Sequence, residues 1–308
     1  MDRLLRLLNK NIPEKLKLRL VKLYKILPFS LAQVTFHPTF RCNYHCAYCL
    51  YPRYINKDNP VFNSFIPHDE WIRLFDKFPK STVTISGGEP LLYKDLDKLL
   101  LGICRRHIIS QVVSNISTNL DVLVRARKAG FRIMASFHKD MVSLEEFSKN
   151  LLYLKKHGFN IIVNFVGTKE NISRYSYYKD HFEKKLKVFF KIDACEDLER
   201  DEEAGNLKIH GINYIIDRKQ FNNNRIKKCL AGSKFFVLMP DAAVYRCFSG
   251  FMYSNSDKFR KLAAEQDKGR FVLGNLKDPQ FTAGGNERFI CQSPCRGVCD
   301  IELADVRL

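Results

Sequence analysis

From residue 31 to about 195, short apolar runs alternate with amphipathic stretches. "LAQVTFH" (31–37), "TVTIS" (82–86), "SQVVSNIST" (110–118), "FRIMASF" (131–137), "NIIVNFV" (160–166) and "KVFFKID" (187–193) read as strands. Helical patterns fall between them at about 67–79, 94–106, 120–129, 143–157 and 170–186. Pro67 stands near the start of the first helix, and Gly130 and Gly158 stop the third and fourth. Ser143, with Glu146 three residues on, makes a capping box. Six strand–helix repeats with nearly continuous apolar strands predict an α/β fold with a parallel sheet covered by helices. Chemistry in such folds gathers at the carboxyl ends of the strands.

The texture changes after 195. "ACEDLERDEEAGN" (194–206) is acidic and polar, and 196–228 reads as a linker. "FFVLMPDAAVYRC" (235–247) reads as a hairpin around a Pro-Asp turn, and "RFVLGNL" (270–276) as a short strand. The last stretch, 229–308, is expected to form a separate small cysteine-rich α+β module.

Ahead of the first strand, Lys15, Arg19, Lys22 and Lys25 recur at helical spacing, with Leu16, Leu20, Leu23 and Leu27 one position behind. Residues 1–30 therefore read as basic amphipathic helices. Packing of the apolar stripe on the following domain is the favoured reading. Peripheral contact of residues 1–27 with an anionic membrane is the alternative.

Composition narrows the class. The chain has 308 residues, 45% of them hydrophobic, which suits a folded protein of one large domain or a large and a small one. The formal net charge of +18 favours anionic partners. No nucleic-acid-binding signature accompanies it, so a nucleic-acid partner is not expected. With no signal peptide and no long apolar span, a cytoplasmic location is expected, where clustered cysteines bind metal more often than they pair.

"FRCNYHCAYCLYPRY" (40–54) places Cys42, Cys46 and Cys49 within eight residues, just after the first strand. Three thiols cannot close a disulfide framework among themselves. Tetrahedral zinc needs a fourth ligand, and His45 is too close to Cys46 in sequence to converge easily with it. Zinc and an iron–sulfur cluster both remain open on spacing alone. A second set, Cys229, Cys247, Cys291, Cys295 and Cys299, lies in the tail, whereas Cys104 and Cys195 read as ordinary thiols.

The Cys42-x3-Cys46-x2-Cys49 spacing, with Tyr48 just before the last cysteine, resembles the signature of radical S-adenosylmethionine (SAM) enzymes. "GGEP" (87–90), after the second strand, resembles that family's SAM-binding motif. The resemblance covers about 31–195 and implies a partial (β/α)6 TIM-type barrel. It also implies a [4Fe–4S] cluster on Cys42, Cys46 and Cys49 whose open iron binds SAM, and cleavage to a 5′-deoxyadenosyl radical. Tyr48, Gly87, Gly88, Glu89, Pro90, Ser117, Asn119, Ser136 and His138 are the candidate SAM-binding residues it implies. Glu89 is held equally as an acceptor for the SAM ammonium and as a brace for its loop. The hairpin, "GNL" (274–276) and the tail cysteines resemble SPASM or twitch extensions, which implies one auxiliary [4Fe–4S] cluster held by four of the five tail thiols. Structural zinc is the alternative there.

The reaction so implied is oxidation, epimerisation or rearrangement of a small-molecule or saccharide substrate, with an electron donor such as flavodoxin or ferredoxin. Only 41 residues precede Cys42, which argues against a built-in leader-recognition domain. A peptide modifier with a separate leader-binding partner, and an activating or electron-transfer protein, are the alternatives. No catalytic residue is assigned.

Overall fold

The structure is a computed structural model that describes residues 31–168, 170–194, 227–284, 289–293 and 304–305. The basic segment 1–30, the acidic linker, Cys195, Cys295 and Cys299 lie outside the described residues.

Six strands, β1 (Ala32–Phe36), β2 (Ser81–Ile85), β3 (Ile108–Ser114), β4 (Arg132–Phe137), β5 (Ile161–Gly167) and β6 (Phe189–Ala194), follow one another in order. Each pairs in parallel with the next, so the expected parallel α/β sheet is present as a partial barrel. Alternation explains the strands' two faces. Val34, Phe36, Val83, Ile85, Ile133, Ala135, Phe137, Val163 and Phe165 enter one apolar cluster under the helices. Thr35, Thr84, Ser136 and Asn164 fall on the other face and are absent from that cluster. Trp71, on the helix His68–Phe75, seals one end against Phe36, with the rings edge-to-face and centroids 4.7 Å apart.

Local signals hold where they rest on a cap. Ser143 accepts from the Glu146 N–H at 3.1 Å at the start of the helix Leu144–Lys156. Gly130, at φ 76°, ends the turn Arg127–Ala129. Boundaries set by apolar texture moved. The third strand is Ile108–Ser114, so Ser117 lies beyond it in a turn rather than on it. The expected helix over 170–186 is broken into a 3-10 turn Ile172–Arg174, an α-helix Tyr175–Lys179 and a π-turn Asp180–Lys185. That widening seats Phe182, fully buried, against Phe137 and Phe190.

The Pro240-Asp241 turn does join a hairpin, β8 (Phe235–Leu238) to β9 (Ala243–Tyr245), with β10 (Val272–Asn275) antiparallel to β9. This hairpin is continuous with the main sheet, because β8 pairs in parallel with β1 and completes the order β10-β9-β8-β1-β2-β3-β4-β5-β6. A small sheet of β11 (Phe289–Cys291), β7 (Lys227–Cys229) and β12 (Ala304–Asp305) stands apart from it. A second apolar cluster joins Phe40, Ile55 and Val61, around the cysteine loop, to Phe235, Val237, Met239, Tyr245, Phe251, Phe271 and Phe289 of the tail. The tail is thus packed directly against the segment that bears the first three thiols.

Candidate functional site

The loop that leaves β1 at its carboxyl end carries Cys42, Cys46 and Cys49. Cys42 is exposed, and the other two are half-buried. Cys49 is the N-cap of a short helix, Leu50–Tyr54. The Tyr44 N–H points at the Cys42 sulfur at 3.4 Å. Burial raises all three thiol pKa values, that of Cys46 to about 11. In the metal-free loop they are therefore protonated thiols, and iron binding must release those protons. Among the described residues, no three His, Cys, Asp or Glu side chains are gathered to hold a single metal ion. A cubane asks for something else, one thiolate on each of three irons. Three thiols on one short loop, with a backbone N–H aimed at the Cys42 sulfur, fit that demand. His45 is exposed.

The "GGEP" turn is held to this loop backbone to backbone. Gly88 N–H donates to Thr39 O at 2.9 Å, and Glu89 N–H to Arg41 O at 2.8 Å. A Cβ on Gly87 would stand 2.4 Å from Thr39 O, and one on Gly88 2.3 Å from Arg41 O. Gly87 also sits at φ 136°, a conformation L side chains rarely adopt. Both glycines are therefore demanded by the approach of the cysteine loop itself, before any ligand is considered. Pro90 begins a buried 3-10 turn, Pro90–Leu92.

Glu89, 1% exposed, ties that turn to the end of β3. One carboxylate oxygen accepts from Leu91 N–H at 3.0 Å and the Ser114 hydroxyl at 2.8 Å, and the other from Asn115 N–H at 2.7 Å. Burial raises its pKa, and those donors oppose the rise. Of the two roles expected for Glu89, the brace is the one its contacts describe. Asn115, which the sequence reading passed over, extends the tie. Its amide donates to Asn43 Oδ1 at 3.0 Å, and its Oδ1 accepts from the Ser117 hydroxyl at 2.7 Å. Asn43 Nδ2 closes the ring by donating to Ser117 Oγ at 2.7 Å. Asn119 takes the left-handed conformation, φ 51°, and its amide donates to Leu91 O at 3.2 Å. Ser117 and Asn119 thus spend polar groups on joining the loops.

On the opposite side of the cysteines, the Tyr48 hydroxyl stands 2.8 Å from His138 Nδ1, and Cys46 Sγ lies 3.7 Å from the same atom. Burial lowers the His138 pKa to about 4, so the ring is neutral and its Nδ1 can accept from Tyr48. Ser136, next along β4, pairs in register with Asn164 on β5. Asn164 is buried, its amide donates to Asp193 Oδ2 at 3.4 Å, and its Oδ1 has no partner among the described residues. The sequence reading carried no site residue to β5. A polar residue at an inward position late in an otherwise apolar strand was the available signal.

In the tail, Cys229 on β7 and Cys291 on β11 are buried in the second apolar cluster, and Cys247 packs against it. Phe289 is the register partner of Cys229, so Cys229 and Cys291 share one face of that small sheet. The Arg246 and Arg270 guanidinium groups lie 4.5 and 4.9 Å from the Phe289 ring centre. Three of the five tail thiols therefore meet one core, and the other two lie outside the described residues. Cys104 is half-buried at the end of the helix Leu96–Ile103, and its thiol donates to Leu101 O.

Comparison with known proteins places these features. Residues 36–181 match the model of the Radical SAM superfamily. The chain is 28% identical over 160 residues to a GTP 3′,8-cyclase of Aquifex aeolicus (strain VF5), covering 46% of this chain and 47% of that protein. Its matches span between about a fifth and a half of the length of such curated relatives. Among solved structures, SuiB of Streptococcus suis bound to S-adenosylmethionine superposes with a TM-score of 0.52 at 18% identity, over 75% of this chain and 61% of that one. The protein anSMEcpe with bound AdoMet gives 0.53 at 16% identity, over 80% and 75%. The same protein with AdoMet and a Kp18Cys peptide gives 0.50 at 16%, over 80% and 78%. At these identities the structural likeness is one of fold.

Proposed function

We propose that this chain, whose residues 36–181 match the model of the Radical SAM superfamily, is a radical SAM enzyme which takes a hydrogen atom from a small-molecule or saccharide substrate. That reading implies S-adenosylmethionine and a [4Fe–4S] cluster. Bound together and reduced, they supply a 5′-deoxyadenosyl radical, the hard part of the chemistry. Cys42, Cys46 and Cys49 would hold the cluster, leaving one iron for the amino and carboxylate groups of SAM.

The observation that carries this reading is the junction of the cysteine loop with "GGEP", made through Gly88 N–H to Thr39 O and Glu89 N–H to Arg41 O. It fixes the thiols and the turn expected to meet SAM as one rigid unit at the strand ends. Glu89, Asn43, Asn115 and Ser117 hold that unit to β3. Tyr48 and His138 close the other side, where their stacked rings would shield the cleft from water. Ser136 lies on β4, two residues before His138, which follows the strand's end, and Asn164 is its register partner.

A second [4Fe–4S] cluster, held by four of Cys229, Cys247, Cys291, Cys295 and Cys299, is part of the proposal. Convergence of the first three on one core supports it, as do two guanidinium groups beside it that would offset the negative charge of a thiolate-bound cluster. A SPASM- or twitch-type extension is the corresponding reading of 229–308. The electron donor would be a flavodoxin or a ferredoxin. A peptide substrate is the second reading, favoured by the fold shared with anSMEcpe, which has been solved with a bound peptide.

The test is anaerobic reconstitution of the full chain. Iron and sulfide counts near two cubes, and formation of 5′-deoxyadenosine from SAM under reduction, are expected. A purified chain that binds iron but never yields 5′-deoxyadenosine with a chemical reductant would count against the enzyme reading. An iron count near one cube, with zinc making up the difference, would sink the second cluster alone.

A further inference from the structure

Asp267 is 0% exposed and ends the 3-10 turn Glu265–Asp267. A buried carboxylate is costly unless donors surround it. Three donors do, and all reach one oxygen. Gln292 N–H at 2.8 Å, Ser293 N–H at 2.7 Å and the Ser293 hydroxyl at 2.7 Å donate to Oδ2. The Cys291 thiol lies 3.5 Å from the same oxygen. Ser293 Oγ also accepts from Ala264 N–H at 2.9 Å, which ties both ends of the contact to the 264–267 turn. The other carboxylate oxygen, Oδ1, has no partner among the described residues.

Besides the Cys291 thiol, the donors to this carboxylate come from Gln292 and Ser293, the two residues that follow Cys291. The carboxylate therefore fixes the two residues, Gln292 and Ser293, that follow β11. It also fixes Cys291 relative to Cys229, since β11 and β7 are held in one register.

We propose that Asp267 is the positioning residue of the C-terminal thiol site, holding Cys291 and the start of the closing cysteine segment in the geometry that a second cluster requires. The proposal rests on the second-cluster reading given above. The clamp does not depend on the thiol proton. When Cys291 binds iron as thiolate its S–H is lost, and the two N–H groups and the Ser293 hydroxyl still carry the carboxylate's charge. Alanine at 267 leaves those donors buried and unmet. Asparagine keeps an acceptor oxygen for them and removes a negative charge beside a thiolate.

The experiment compares wild type, Asp267→Ala and Asp267→Asn as full chains, reconstituted anaerobically. The readouts are iron and sulfide counts, the paramagnetic signals of the reduced clusters, and SAM cleavage as an internal check on the first site. Wild type is expected to hold about eight irons and Asp267→Ala about four. The alanine variant should retain the SAM-binding cube's signal, and Asp267→Asn should recover most of the second cube. Asp267→Ala with a complete second cube would overturn the proposal, and so would loss of both cubes together, which would make Asp267 a residue of general folding. A wild type that itself holds only about four irons would overturn the second-cluster reading first, whatever the variants do.

Discussion

Cys42, Cys46 and Cys49 ride on a loop at the open ends of the strands, exposed or half-exposed, whereas Cys229 and Cys291 sit on strands and are 8% and 9% exposed. The first set is oriented by backbone contacts to a neighbouring turn. The second is oriented by apolar packing and a buried carboxylate. A thiol set that must admit a ligand from solution needs an open side, and a loop braced from behind provides one. A set that is buried on all sides can exchange electrons but has little room for substrate. For the second cluster proposed above, the burial of Cys229 and Cys291 thus supports four thiolates over an open iron.

Removal of the first set should have the largest effect. Cys42→Ala/Cys46→Ala/Cys49→Ala is expected to abolish 5′-deoxyadenosine formation and to lower iron by one cube while leaving the second. Loss of both cubes would show that the two regions do not load independently. In the tail, Cys229→Ala and Cys247→Ala should each lose the second cluster's signal and keep the first. Cys295→Ala should do the same, and of Cys291→Ala and Cys299→Ala only one should. If both of those outer variants retain a complete second cluster, an open iron becomes the better reading of the tail.

Gly88→Ala attacks the brace rather than the thiols. Its Cβ would meet Arg41 O at 2.3 Å, a backbone atom that cannot swing away. Overpacking of this kind costs about 1–3 kcal/mol. The cysteine loop should shift, with at least a tenfold loss of SAM cleavage and no change in the second cluster. Unchanged cleavage would mean that the junction between "GGEP" and the loop is not what positions SAM.

His37, 2% exposed, has its ring near Phe40 and Tyr51 of the first cysteine loop and no hydrogen-bond partner for either ring nitrogen among the described residues. Burial lowers its pKa to about 3 from 6.5. Below about pH 6.5 the unfolded chain takes up a proton that the folded chain refuses. The stability present above that pH is therefore lost progressively as pH falls toward 3, by on the order of 3–5 kcal/mol for this group alone. Denaturant unfolding of the apo chain at a series of pH values should show this slope, and His37→Leu should flatten it. An unchanged slope in the variant would assign the acid sensitivity elsewhere.

The parallel sheet was legible because each of its strands is a compact apolar run bounded by a turn signal, and the thiol loop because three cysteines at that spacing are rare. The extension of the sheet was not. β8 joins β1 across about two hundred residues of sequence, and no local pattern in "FFVL" announces a partner so distant. The glycines of "GGEP" were legible as close-approach residues, but what approaches them are the carbonyls of Thr39 and Arg41, which no spacing rule names. Asn43, Asn115 and Asp267 escaped notice for a related reason. Single polar residues are ordinary on a surface, and only the fold reveals that Asn115 and Asp267 are buried and that Asn115 is joined to Asn43.

Asn119 gives the smallest expected effect and divides brace from ligand most finely. The sequence places it among the SAM contacts, whereas the structure has its amide on Leu91 O and its backbone in the left-handed region. Alanine would confound the two by straining φ, so glycine is the better probe. Asn119→Gly keeps the backbone and deletes the side chain's hydrogen bond, worth about 1 kcal/mol. If Asn119 only braces the turn, the variant should melt slightly earlier and keep an unchanged KM for SAM. Should KM rise fivefold or more with no change in melting, the side chain touches the cofactor when SAM is bound, and the contact to Leu91 belongs to the empty site alone. The same measurement on Ser117→Ala would then decide whether the rest of the Asn43–Asn115–Ser117 ring behaves as brace or as ligand.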